Sequence, residues 1–119
     1  MKDEKFKVID FIRKLIIKID TELVNFPKKE IEIKNRIRTN TYDILELAYL
    51  ANETKGIEEK NKLLSQIIAK IKIIDFLLNL SYDKMLINSK KYVKLGEKID
   101  DIIKYVIGWK NSINQEKRA

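Results

Sequence analysis

Neither cysteine nor histidine occurs in the 119 residues, proline occurs once, and glycine three times. The missing thiols exclude disulfides and thiolate metal sites, and leave the chain compatible with a reducing compartment. The missing imidazoles remove the Ser-His and Cys-His catalytic arrangements, most transition-metal sites and the Glu-x-x-His di-iron pattern of helical bundles. No apolar run approaches the roughly 20 residues that span a bilayer, so no membrane partner is expected. The charged start Met1-Lys2-Asp3-Glu4 lacks a signal-peptide core, and the expectation is a cytoplasmic protein.

What is present is helical periodicity. Tyr92, Leu95, Ile99, Ile102, Val106, Trp109 and Ile113 are spaced 3-4-3-4-3-4, a seam that strand alternation cannot produce. Asn88 stands where its side chain would accept from the first free amides of that helix. Earlier in the chain, Ile9, Ile12, Ile16, Ile19 and Leu23 predict a first helix over about 3–25, ended by Phe26-Pro27-Lys28-Lys29. Ile33, Ile37, Thr41, Ile44, Ala48 and Ala51 predict a second helix over about 30–53, with Gly56 as a left-handed cap after it. Leu64, Ile67, Ile71, Ile74 and Leu78 predict a third from about Ile57, its dipole favoured by Glu58 and Glu59. Long helices on short connections predict an all-α, antiparallel up-down-up-down four-helix bundle over 1–113, with 114–119 as a polar tail.

One apolar face per helix suffices for such a bundle, and the third helix has two. Ala69, Ile73, Phe76 and Leu80 form a second seam roughly opposite the first. Tyr42, Tyr49 and Ile31 also fall outside the core stripe of the second helix, as do Phe6, Ile17 and Val24 on the first. A contiguous exposed seam marks an interface, so Ala69, Ile73, Phe76, Leu80, Tyr42 and Tyr49 are the expected contacts of a homo-oligomer.

Basic residues are uneven as well. The net charge is +7, and 89–119 holds eight Lys or Arg against four acids, while each earlier segment carries a single excess positive charge. Lys90, Lys91, Lys94 and Lys98 fall within a third of one helix circumference, and repeated around an oligomer they would attract polyanions. Lys28, Lys29, Arg36 and Arg38 are weaker candidates for phosphate contact; pairing with Glu32 or Glu46 accounts for the arginines equally well. Tyr105 and Trp109 read as core or rim anchors. Glu58-Glu59 and Asp100-Asp101 are adjacent and splay apart on a helix, so no catalytic constellation, metal site or cofactor is expected.

The Phe26-Pro27-Lys28 turn, the run Asp43-Ile44-Leu45-Glu46-Leu47, Tyr92 before Leu95, and the ending Ile107-Gly108-Trp109-Lys110-Asn111-Ser112 carry a resemblance across nearly the whole chain. In order and spacing they resemble the accessory variability determinants of diversity-generating retroelements, and their relatives encoded in 23S rRNA intervening sequences. The Gly-Trp-x-x-Ser ending favours the retroelement branch. Where many members have an arginine after Phe-Pro-Lys and a glycine a turn later, this chain has Ile31 and Asn35. The resemblance implies a non-enzymatic homopentamer that binds a reverse transcriptase and structured RNA or DNA in support of mutagenic cDNA synthesis. The rRNA-intervening branch implies the alternative, a structural protein-interaction bundle with no direct nucleic-acid role.

Overall fold

The apolar seams close on one another as four antiparallel helices in the computed structural model, which describes residues 2–118, with side chains for 5–115. Helix α1 is Lys2–Glu22, α2 is Ile31–Glu53, α3 is Ile57–Asp83 and α4 is Ser89–Arg118; a 3₁₀ turn, Lys28–Glu30, leads into α2. Each helix packs on two neighbours, α1 on α2 and α4, and α3 on α2 and α4, while the diagonal pairs stand farther apart and meet at most through core side chains. The resulting rod measures 51 × 22 × 19 Å. The 1→2 and 3→4 turns therefore share one end, and the 2→3 link lies at the other.

The core is the expected one on three helices. Ile37, Thr41, Ile44, Ala48 and Ala51 of α2, and Leu64, Ile67, Ile71, Ile74 and Leu78 of α3, are buried. Leu95, Ile99, Ile102, Val106, Trp109 and Ile113 of α4 are buried too, while Ile33 and Tyr92 are half-buried at its edge. Each full burial of a Leu or Ile is worth roughly 1.5–3 kcal/mol, so these stripes hold the bundle together. The two buried polar residues answer their own helix: the Thr41 hydroxyl donates to the Arg38 carbonyl at 2.6 Å, and Ser81 to Leu77 at 2.7 Å.

On α1 the central line is Val8, Ile12, Leu15 and Ile19, continued by Leu23 in the turn after it; Ile9 and Ile16 flank it rather than lead it. Two apolar rows run side by side here, and contact with α4 as well as α2 centres the helix on the first. The helix also stops at Glu22, before Asn25, where the Phe26 amide bonds the Leu23 carbonyl at 3.3 Å and turns the chain into Pro27.

Gly56 is not left-handed. It sits at φ −70°, ψ 130° as the residue before α3, and the chain leaves α2 through an extended Thr54. The left-handed residue is Met85, at φ 61° after α3. Its amide bonds the Tyr82 carbonyl at 2.9 Å, and the Leu86 amide bonds Ser81 at 2.8 Å, the paired closure of a Schellman motif. Asn88 does cap α4, its Oδ1 accepting from the Lys91 amide at 2.8 Å. The polar residues after Ile113 continue α4 to Arg118 instead of forming a separate tail, and Asn114 bonds Asn61 of α3 at 3.1 Å; Ala119, like Met1, lies outside the described residues.

Candidate nucleic-acid interface and apolar faces

The four candidate lysines at the start of α4, Lys90, Lys91, Lys94 and Lys98, have three different environments. Lys91 is drawn onto α1, where its Nζ lies 3.7 Å from the Glu22 carboxylate and donates to the Glu22 carbonyl at 3.4 Å. That is a lysine completing a helix C-terminus, a structural contact. Lys94 and half-buried Lys98 line a groove between α1 and α4 with Lys18, Glu97 and Asp101, so acids interleave with the bases. Lys90 is exposed and makes no ion pair among the described residues.

The secondary candidates also divide. Lys28 is exposed on the 3₁₀ turn at the same end as Lys90 and has no ion-pair partner among the described residues. Lys29 and Arg36 line a groove between α2 and α3 with Glu30, Glu32, Ile73 and Phe76. Arg38 turns the other way, to α1: its Nε is 3.1 Å from Asp20, and its guanidinium donates to the Tyr42 hydroxyl at 3.2 Å. Neither arginine meets Glu46, and only Arg36 shares its groove with Glu32. The eight candidates therefore do not form one patch; Lys28, Lys29, Arg36, Lys90 and Lys94 are the exposed ones without an ion-pair partner among the described residues, and of these Lys28, Lys29, Lys90 and Lys94 lie on or near the end that carries the 3₁₀ turn.

Glu22 gathers two cations. The hydrogen bond from Lys18 holds its carboxyl below the ordinary value, opposed by partial desolvation and reinforced by the charges of Lys18 and Lys91. Lys18 Nζ lies 3.0 Å away.

The surplus apolar residues are exposed: Phe76 is 61% and Ile73 48% accessible, Ala69 is exposed, and Leu80 is half-buried. Ala69, Ile73 and Phe76 point away from the core side of α3, and Leu80 lies at its edge. Tyr42 and Tyr49 are exposed on α2, where with Leu45 and Leu50 they line a groove of about 420 Å³ rimmed by Glu46 and Glu53. Sequence reading named the tyrosines but missed Leu45, Leu50 and the two acids. The signal was available: no Lys or Arg occurs between Arg38 and Lys55, in a chain holding 25 of them.

Tyr82 and Tyr92 stack at 4.8 Å and 6°, and the Tyr92 hydroxyl accepts from Asn79 at 2.8 Å, which makes Tyr92 a rim anchor between α3 and α4. Tyr105 packs at 5.2 Å from Phe11, joining α4 to α1. Among the described residues no helix is long and apolar enough to cross a membrane, and no three acidic side chains gather where a metal ion could sit. Comparison with known protein families and with curated proteins finds no match for the chain.

Proposed function

We propose that this bundle is a non-enzymatic accessory protein that binds structured RNA or DNA through phosphates, as a homo-oligomer serving a reverse transcriptase of the diversity-generating retroelement type. The observation that carries the reading is the trio Lys28, Lys90 and Lys94: exposed, on or near one end, and unpaired among the described residues. Ammonium groups that no carboxylate engages remain available to replace counterions on a polyanion. Repetition of that end around an oligomer would concentrate the field, and the exposed seams of α2 and α3 supply surface for assembly. The retroelement and the polymerase enter through the family resemblance, and a reverse transcriptase gene beside this one would support them.

The test is filter binding of a structured RNA at several salt concentrations. The wild-type constant is expected to fall with salt. The Lys28→Gln, Lys90→Gln, Lys94→Gln variant is expected to show a log-log slope shallower by about 0.7–0.9 for each phosphate it no longer neutralises. Lys91 is left out of the variant because it holds Glu22. An unchanged slope would move the site elsewhere. No binding even at low salt would overturn the reading in favour of a protein-interaction bundle of the rRNA-intervening type, which the interleaving of Glu97 and Asp101 with Lys94 and Lys98 favours.

A further inference from the structure

We infer that the turn between α3 and α4 holds an unpaired nucleobase of RNA or DNA, stacked on Tyr82 beside Met85. The inference deepens the phosphate-binding reading of this end and rests on it. A hollow of about 700 Å³ opens at the turn, where Tyr82, Met85 and Leu86 give an apolar lining and Asp83, Asn88 and Ser89 a polar one.

Tyr82 has the form of a platform. Tyr92 backs its ring at 4.8 Å and 6°, and is itself fixed by the hydrogen bond from Asn79. Tyr82 lines the hollow and Tyr92 does not, so the stack ends there with Tyr82 39% exposed. Lysines lie over Phe11 and Tyr105, but no described cation lies over Tyr82. A ring held from one side and open on the other suits a base, because every base has a flat π face.

Met85 is a second, independent sign. It holds φ 61°, a conformation costly for a residue with a side chain and free for glycine. Yet the side chain is there, 88% exposed, with almost no burial to offset that cost. Strain of this kind gathers at ligand clamps, and a thioether packs well against an aromatic ring. A base on Tyr82 would give Met85 the contact it lacks.

The charges divide the hollow into a base edge and a phosphate side. Asp83 is the one acid of the lining, and its carboxylate accepts from the N–H edge of a base but repels a phosphate. The Asn88 oxygen is taken by the Lys91 amide, which leaves its NH₂ to donate. Lys84 is held by Glu30 and Lys91 by Glu22, so Lys90, next to Ser89, is the cation left for the phosphate. Unpaired bases in loops and single strands offer face, edge and phosphate together, whereas a duplex hides its faces.

The experiment follows fluorescence anisotropy of a labelled single-stranded oligocytidylate, RNA and DNA, beside the same strand annealed to its complement. The full chain is used at low salt, with folding of each variant checked by circular dichroism. Tyr82→Ala is expected to weaken single-strand binding about 5- to 100-fold and to leave duplex binding within about twofold, while Tyr82→Phe keeps the ring and the affinity. Met85→Gly is expected to melt higher than wild type yet bind the strand about two- to tenfold more weakly, a pairing that damage to the fold does not produce. Cytidine monophosphate competing as strongly as the strand, with the same loss in Tyr82→Ala, would support the base site and assign it to free nucleotides. Single-strand affinity unchanged in Tyr82→Ala or in Met85→Gly, or duplex affinity falling equally with it, would overturn the inference and leave the phosphate reading standing. Wild type that binds neither strand nor duplex would overturn both.

Discussion

At the loop-bearing end of the rod, Lys84 reaches Glu30 and Lys91 reaches Glu22, across 54 and 69 residues of sequence. At the opposite end α3 and α4 meet through Asn61 with Asn114 and through Ser65 with Lys110, and a three-residue link, 54–56, joins α2 to α3. One end is tied by opposite charges between long turns, the other by neutral acceptors beside a short one. Screened ion pairs at a surface are worth about 0–1 kcal/mol, so at the loop-bearing end salt and acid weaken the cross-links while buried Leu23, Leu78, Ile87 and Leu95 hold it together. Lys28 and Lys90, exposed and without ion-pair partners among the described residues, lie there, as Lys55 and Lys62 do at the other end.

The hardest challenge to this contrast is removal of burial at the link end. Trp109, 3% exposed, fills the core there, and Trp109→Ala is expected to cost about 3–5 kcal/mol in denaturant unfolding. A loss under about 1 kcal/mol would mean that the carboxamide contacts, not the core, hold that end.

A smaller effect sharpens the comparison of the two connections. Met85→Gly should stabilise by roughly 0.5–1 kcal/mol, because the left-handed conformation costs a side-chain-bearing residue what glycine escapes. Gly56→Ala should stay within about 0.5 kcal/mol of wild type: the backbone suits alanine, and the added Cβ meets only the flexible Glu59 carboxylate. Thermal melts of the two variants check both, and a destabilising Met85→Gly would remove the assigned strain.

The smallest effect concerns acid. Glu22 has its carboxyl lowered from the ordinary 4.5, so its contribution is present above that value and is lost as pH falls through the lowered one. A Lys18→Gln, Lys91→Gln variant should therefore melt below wild type at neutral pH and converge with it under acid. Parallel melting curves across that range would show that the pairing contributes nothing to folding.

The core stripes of α2, α3 and α4 were legible because apolar spacing is a local property, written within each helix. The α1 stripe was ambiguous because two rows, Val8–Leu15 and Ile9–Ile16, satisfy the same periodicity, and only the neighbours decide which is central. Gly56 misled for a different reason: glycine permits a left-handed turn without demanding one, and the extended Thr54 made it unnecessary. Of the lysines, sequence could place four on one arc of α4, but the carboxylate that engages Lys91 belongs to α1, and no local pattern records it. The α3 seam was visible as a second periodicity. The α2 groove was half visible, since tyrosines stand out where the absence of cations does not.

An even number of antiparallel helices returns the chain to the end from which it set out. Residues 2 and 118 both emerge toward the end that holds the 54–56 link, so the 21 residues of α1, about 31 Å, separate the first from the 3₁₀ turn, and the 30 residues of α4, about 45 Å, separate the second from the start of α4. A dye, a surface tether or a fused domain attached at either position stands clear of Lys28 and Lys90. A short flexible linker joining the two positions, with the chain opened between Leu23 and Pro27, would yield a circular permutant whose four helices keep their present neighbours.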